Sequence, residues 1–268
     1  MATVAPDTRV RASASEVAGL SFEGSPASLA VTYASTGESE TTSELKAKVA
    51  PDLIEVSWEI DGIEVSACVE VVAARSCTLA DILDYRGDQY QLKELYGYTE
   101  ESSEVWDARA ADEEVIEREA HRAMQPVMRK GWVDRPNCMT RTMVMADTGY
   151  DPDASAIVSA KLPDGSDADV SIVRSGPYVD TSKLACGQSA EVVYKTGLKS
   201  MPPELKAAVQ ALAAWSLAPR SEPENATTTS TDAGVLSFVI GGVDGAATSI
   251  PEVNALIERY GRKALKVG

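Results

Sequence analysis

Hydrophobic and polar residues alternate in three stretches near the N-terminus, which is the pattern of strands with one buried face. The stretches cover residues 29–33, 54–60 and 63–71. Between the last two lies Asp61-Gly62, a dipeptide that favours a type I′ turn, so we predict a hairpin with Trp58 opposite Val65. Residues 29–75 are therefore predicted to form a small β module.

Residues 1–28 differ from this module because Ala, Ser, Thr and Glu dominate and little periodicity is visible. Such a composition is typical of a terminal segment that becomes ordered only when it contacts something else. We therefore predict an N-terminal arm and no separate domain.

From Leu79 onward the apolar residues follow a helical spacing. We predict helices near residues 89–98, 102–125, 203–217 and 250–260. Pro126 ends the second helix, Pro202-Pro203 opens the third, and a capping box over residues 249–252 opens the fourth.

The second predicted helix has an apolar stripe that includes Ile116 and Ala120, and we expect this stripe to be buried. Its opposite face is charged, which favours a surface that is solvated or that faces another subunit. The charged residues are Asp107, Arg109, Glu113, Glu114, Glu117 and Arg118.

Short strands return between residues 138 and 196, where turn signals such as Pro163-Asp164-Gly165 separate the apolar stretches. We predict strands at residues 142–146, 156–162, 170–174 and 190–194, and another at 235–240. The predicted fold is therefore α+β: a small N-terminal β module, then a core of amphipathic helices over residues 76–268 that contains an inserted β unit.

The 268 residues are 44% hydrophobic, so the chain can bury a substantial core. The formal net charge of −16 repels phosphate groups and disfavours a protein that grips nucleic acid. An acidic surface either favours solubility or lets a DNA duplex slide past without sticking. Because no long apolar stretch or signal-peptide core is visible, we expect a soluble protein, made in the cytoplasm, that contacts no membrane.

The sequence contains few residues that stand out as candidates for catalysis or for metal binding. His121 is the sole histidine and lies in a charged helical stretch, and the 41 Asp and Glu residues show no metal-binding loop above their own background. We expect no catalytic residue, no cofactor and no metal site.

The four cysteines are Cys68, Cys77, Cys138 and Cys186, and their spacing does not fit a zinc knuckle. We expect buried, reduced thiols, with a contact between Cys68 and Cys77 as the alternative.

A cluster of basic residues at the C-terminus departs from the overall acidity. It contains Arg259, Arg262, Lys263 and Lys266. Positive charge is favourable at the C-terminal end of a helix. The alternative is a docking tail for an acidic partner or for passing DNA.

Several motifs together resemble the head-to-tail connector (adaptor) family of tailed bacteriophages. A strand that ends in Tyr194-Lys195-Thr196-Gly197 precedes Pro202-Pro203-Glu204-Leu205-Lys206 at the start of an Ala-rich helix. Residues 223–227, 231–234 and 250–253 then resemble the end of these adaptors, and residues 112–128 resemble their entry helix. After this helix, residues 125–128 lack the family's basic and aromatic residues.

The resemblance implies that residues 76–268 are a connector core, and that residues 29–75 are an additional β module that some adaptors carry. It also implies a structural protein of the virion neck, without enzymatic activity, that forms a dodecameric ring with copies of itself. Such a ring lies below the portal protein, contacts a downstream stopper or tail protein, and lets double-stranded DNA pass. The basic C-terminal residues are then expected to dock on the portal.

Two other functions remain as alternatives. One is another ring-forming neck component, such as a stopper or a tail terminator. The other is a hydrolase that uses carboxylates hidden among the abundant Asp and Glu residues.

Overall fold

The computed structural model describes residues 2–137, 153–173, 178–218, 248 and 250–261, together with the backbone of 142–144, 228–231 and 234–237. The chain forms two compact units. The β unit contains Met1–Arg75 and Arg122–Met201, and the helical unit contains Ser76–His121 and Pro202–Gly268. Helices and several sheets are both present, in agreement with the α+β class.

The N-terminal part of the β unit is built from strands and one short 3-10 turn, Val17–Gly19. The strands are β1 (Thr3–Val4), β2 (Arg9–Ser13), β3 (Ser21–Phe22), β4 (Leu29–Tyr33), β5 (Ser39–Thr42), β6 (Asp52–Ile60) and β7 (Ile63–Val72). A five-stranded sheet has the order β2-β7-β6-β4-β5, in which β2 is parallel to β7 and the other neighbours are antiparallel.

The predicted hairpin is confirmed as β6 and β7. Trp58 lies opposite Val65, and both turn residues have left-handed backbones, with φ of 52° at Asp61 and 81° at Gly62. These angles are the ones that a type I′ turn requires, and few residues other than Gly, Asn and Asp adopt them readily.

The prediction of an N-terminal arm is wrong. β1 pairs in parallel with β3, and β2 adds to the edge of the five-stranded sheet beside β7. Four apolar residues of this segment, Val4, Ala12, Val17 and Phe22, are buried in the same core as Trp58. Their strands are short and widely spaced, so no local periodicity shows them, and only the pairing with distant strands makes them stable.

The second part of the β unit contains β8 (Val127–Arg135), β9 (Thr142–Val144), β10 (Ala156–Lys161), β11 (Ser171–Ile172), β12 (Tyr178–Asp180) and β13 (Gln188–Thr196). One sheet has the order β10-β13-β8, and another has the order β11-β12-β9. Strands are found near all four predicted positions. The predicted turn at residues 147–149 lies outside the described residues.

β8 was not predicted. Because of this strand, the inserted β segment begins at Val127 and not at the predicted residue 138. Along β8 the charged Arg129 and Lys130 interrupt the alternation of apolar and polar residues, so the strand pattern is lost. The strand is specified by its partner, because it pairs in antiparallel register with β13 from Val127↔Thr196 to Arg135↔Gln188.

The helices of the described residues lie in the helical unit. They are α1 (Leu79–Leu83), α2 (Gly87–Tyr90), α3 (Ser103–Ala120), α4 (Pro203–Leu217) and α5 (Pro251–Tyr260). Two antiparallel strands, β14 (Thr228–Thr231) and β15 (Gly234–Ser237), lie between α4 and α5 in the chain. The predicted strand at 235–240 continues beyond the described residues.

The helices near 203–217 and 250–260 are confirmed, whereas the other two helix predictions need correction. α3 ends at Ala120, before the predicted residue 125, because the next residue, His121, has a left-handed backbone (φ 52°). The predicted helix at 89–98 is replaced by the short α2, because Gln91 is also left-handed (φ 49°) and the chain then turns. Side-chain periodicity does not reveal such backbone breaks.

The cysteines differ in part from the expected reduced state. Cys68 and Cys77 are free thiols, whereas Cys186 is disulfide-bonded, so the expectation is wrong for Cys186. Cys138 lies outside the described residues. Within the described part of the chain, no helix is long and apolar enough to cross a bilayer.

Gly197, the last residue of the Tyr-x-x-Gly motif, packs against the backbone that precedes β8. Its φ is +93°, and a Cβ atom at this position would lie 1.9 Å from the carbonyl oxygen of Gln125. Leu198 N also donates to the Ala123 carbonyl oxygen at 3.1 Å. The two ends of the inserted β segment are thus held together where only glycine fits.

We expect Gly197→Ala to destabilise the β unit by ~3 kcal/mol or more, because left-handed strain adds to a collision with backbone atoms. Gly187 is a matched control: its φ is +77°, but a Cβ atom added there would meet no other atom within 4 Å. Gly187→Ala should therefore destabilise the β unit only through backbone strain, by ~1–2 kcal/mol. Urea unfolding of both variants measures the difference, and equal losses would contradict the packing role of Gly197.

Candidate interaction surfaces

The predicted docking residues are described only in part. Arg262, Lys263 and Lys266 lie outside the described residues, and Arg259 is the last basic residue of α5. Arg259 Nη1 donates to Glu204 Oε1 at 2.7 Å, and the Tyr260 hydroxyl donates to Glu204 Oε2 at 3.1 Å. The end of α5 is thereby tied to the first turn of α4, which gives Arg259 a structural partner within its own unit.

The prediction that the charged face of α3 is solvated or faces another subunit is wrong for three of its six residues. Arg109, Glu113 and Glu117 are buried together with Asp112, whereas Asp107, Glu114 and Arg118 are exposed. Burial of such groups is tolerated when they are paired and hydrogen-bonded.

Glu113 and Arg109 have partners in the chain just before α1. Ser76 donates to Glu113 Oε1 through its backbone N at 3.1 Å and also through its hydroxyl. Arg109 Nη1 donates to the carbonyl oxygen of Cys77 at 3.1 Å. The charges therefore hold residues 76–77 on α3, a role that the helical spacing alone does not indicate.

Asp112 belongs to α3 and contacts Ser216 of α4, and only 7% of the residue is exposed. Burial raises its pKa to about 7, although Ser216 Oγ donates to Oδ2 at 3.2 Å and favours the ionised form. The helical unit thus contains a carboxyl group that titrates near neutral pH.

The segment after α1 presents exposed aromatic and aliphatic side chains. We call residues 84–98 the tyrosine loop, because they contain four of the nine tyrosines: Tyr85, Tyr90, Tyr96 and Tyr98. Leu92 is fully buried and anchors the loop, whereas Leu95 is 65% exposed and Tyr96 is 39% exposed. The density of tyrosines is visible in the sequence, but their exposure is not.

A cleft of about 340 Å³ opens on the β unit. We call it the β8 cleft; its lining residues include Arg9, Leu53, Ala67, Cys68, Arg129 and Lys130. Leu53, Met128 and Val193 form a small apolar cluster against which Cys68 packs. Burial raises the pKa of the Cys68 thiol.

Carboxylates lie close to Arg129 and Lys130, two of the basic side chains of the cleft. Glu70, which is 1% exposed, accepts from Arg11 Nε at 2.6 Å and lies 3.8 Å from Arg129 Nε. Burial opposes the ionisation of Glu70, but Arg11 and Arg129 outweigh it and lower the pKa. Lys130 Nζ lies 2.6 Å from Glu55 and 2.9 Å from Glu191.

Metal-binding geometry is absent from the described segments. They contain no group of three or more His, Cys, Asp or Glu side chains arranged to hold a metal ion. His121 is exposed at the end of α3. The absence of a catalytic residue, a cofactor or a metal in the whole chain stays a prediction.

Two comparisons with known proteins found no match. No protein-family model matches the chain. No curated protein matches it significantly.

We expect Asp112→Asn to stabilise the helical unit most above pH 7. In the wild type, the unfolded chain ionises Asp112 near its ordinary pKa of 3.8, whereas the folded protein does so only near 7. Stability is therefore lost as pH rises between these values, and the neutral amide avoids this loss.

Thermal unfolding between pH 4 and 8 tests this prediction. The variant should gain a few °C at pH 8, with a difference that shrinks towards pH 4. Asp107→Asn, on the exposed face of the same helix, is the control and should not alter the pH profile. A gain of equal size at every pH would contradict the assignment.

Proposed function

We propose that this chain is a head-to-tail connector of a tailed bacteriophage, a structural protein of the virion neck. Copies of it form a dodecameric ring below the portal protein, and a stopper or tail protein binds on the other side. Double-stranded DNA passes through the ring when it leaves the capsid. In this proposal the chain acts by contacting neighbours and carries out no chemical reaction.

The observation that carries the proposal is the connection from β13 through Gly197 to α4. The motif residues that resemble the connector family occupy this connection: Tyr194 is buried in β13, Gly197 packs on the backbone of Gln125, and Pro203 lies in the first turn of α4. Each of these three residues therefore has a structural role in the connection, and this supports the resemblance to the connector family.

The order of the elements gives further support. Helices α1–α3 precede the inserted β segment, α4 and α5 follow it, and both groups belong to one helical unit. A connector core of helices with a β insertion has this order. The N-terminal β module belongs to the same compact unit as the insertion, so in this proposal both form one accessory domain of the connector.

The distribution of charge suits the passage of DNA. Residues 76–121 carry 13 Asp and Glu residues against 4 Lys and Arg residues, so most of the net negative charge lies in this segment. Acidic groups that face a lumen repel the phosphates of a duplex. DNA would therefore move through such a ring without being retained.

Weak individual contacts are sufficient in such an assembly. Each subunit would contact two neighbours and the portal, and ring closure would raise the effective affinity of every contact. The exposed loop and the cleft described above provide contact surfaces of modest size.

Particles assembled without this protein test the proposal directly. We expect electron micrographs to show DNA-filled heads that lack tails, because the portal would have no surface to which the tail binds. Wild-type protein supplied in trans should restore tailed particles. Tailed, infectious particles in its absence would contradict the proposed function.

Portal attachment should depend on the basic residues beyond α5. We expect Ala at Arg262, Lys263 and Lys266 to weaken copurification with the portal about tenfold, equivalent to ~1.4 kcal/mol. Arg259→Ala should have little effect on attachment, because its ion pair with Glu204 lies within the subunit.

A charge-matched control accompanies this test. Ala at the exposed Lys183, Lys195 and Lys199 removes the same charge from the β unit. If both triple variants weaken attachment equally, the effect is one of net charge and the assignment of docking to the C-terminal residues is wrong.

A further inference from the structure

Hydrogen bonds hold the chain at the end of the strand pair β8 and β13, where Cys186 lies. The last paired residues are Arg135 and Gln188. Gly187 N donates to the Arg135 carbonyl oxygen at 2.7 Å, and Arg135 Nη1 donates to the carbonyl oxygen of Leu184. Cys186 stands between Leu184 and Gly187, so its backbone is held beside the end of the strand pair.

The sequence leaves one partner within the chain for the disulfide of Cys186. Four cysteines are present, and Cys68 and Cys77 are free thiols. The remaining cysteine is Cys138, which lies outside the described residues. Cys138 and Cys186 stand three and two residues along the chain from the last pair of β8 and β13. Segments this short reach at most ~11 Å, so a bond between the two cysteines joins the ends of these strands.

The disulfide of Cys186 is accessible to solvent, because Cys186 is exposed whereas Cys77 is buried and Cys68 is half-buried. A disulfide is broken when a thiolate attacks one of its sulfur atoms, so access decides the rate of reduction. Exposed disulfides are typically the labile or regulatory ones. The bond at Cys186 can therefore be reached by small thiols while the protein stays folded.

The two free cysteines compete poorly for this bond. Burial raises the pKa of the Cys77 thiol to about 11, and burial also raises the pKa of the Cys68 thiol. Because only the thiolate attacks a disulfide, both are weak nucleophiles at neutral pH. The pairing of Cys186 is thus protected from exchange with these residues.

The bond encloses a long segment of the β unit. Residues 139–185 lie between the two cysteines and include β10 and the sheet β11-β12-β9. A cross-link restricts the unfolded chain more when the loop that it encloses is longer. Formation of the bond is therefore expected to stabilise this part of the β unit.

From the exposure of Cys186 and its place beside the last strand pair, we infer that Cys186 is bonded to Cys138 in a redox-sensitive cross-link of the β unit. The bond forms in an oxidising medium and breaks in a reducing compartment such as the cytoplasm, while the fold is retained. This inference goes beyond the proposed function and does not depend on it.

The cross-link forms by exchange with a small disulfide such as oxidised glutathione. One protein thiolate attacks the small disulfide, which gives a mixed disulfide and releases one glutathione thiolate. The second protein thiolate then attacks the mixed disulfide and releases the other. The two protein thiols are oxidised by two electrons, the small disulfide is reduced, and the two thiol protons pass to the released glutathione.

Peptide mapping tests the pairing. Full-length protein is incubated with oxidised glutathione, its free thiols are blocked with N-ethylmaleimide in denaturant, and it is digested with trypsin without reduction. We expect one linked pair of peptides, residues 131–141 with residues 184–195, and alkylated Cys68 and Cys77. A link from Cys186 to Cys68 or Cys77, a disulfide-linked dimer on a non-reducing gel, or alkylation of Cys186 would overturn the assignment.

Reduction of the folded protein tests the redox sensitivity. At room temperature, dithiothreitol should break the bond within minutes, while far-UV circular dichroism shows unchanged secondary structure. A bond that is reduced only when the protein unfolds belongs to a permanent structural disulfide, and this result would contradict the inference.

Thermal unfolding measures the effect of the cross-link. Oxidised wild type should unfold ~5 °C or more above reduced wild type. Cys138→Ser and Cys186→Ser should unfold at the temperature of reduced wild type in both media. Cys68→Ser is the matched control and should keep the redox-dependent shift. Equal unfolding temperatures of oxidised and reduced wild type would show that the bond does not stabilise the β unit and would contradict its proposed role.

Discussion

The antiparallel pairing of β8 with β13 is the constraint on which the rest of the architecture depends. It brings residues 123–127 and 196–198 together, and the close approach of Gly197 to Gln125 fixes the junction. Because the chain leaves and re-enters at one place, helices from before and after the β segment can share one helical unit. A long insertion is tolerated when its two ends are held close together.

Elements with local signals could be predicted from the sequence. The hairpin is encoded by Asp61-Gly62, and α4 by proline at its first turn, because these residues fix the backbone where they stand. β2 and β8 could not be predicted, since each is defined by a strand distant in sequence. α3 was predicted too long because His121 adopts a left-handed backbone that its residue type does not signal.

The candidate contact surfaces were predicted less well than the fold. The sequence draws attention to Arg259, yet the structure ties this residue to Glu204, while its three basic neighbours lie outside the described residues. Arg109 and Glu113 of α3 were predicted to lie on a solvated or subunit-facing surface, because helical spacing does not show that residues 76–77 supply their partners. The tyrosine loop and the β8 cleft become candidates only when exposure and distant residues are known.

The central claim is that these subunits act by fitting against neighbours around an axis. Mass photometry of the purified protein mixed with its portal tests this claim most directly. We predict a complex whose mass equals the portal plus one closed, dodecameric ring of this chain. A protein that stays monomeric and leaves the portal's mass unchanged would contradict it.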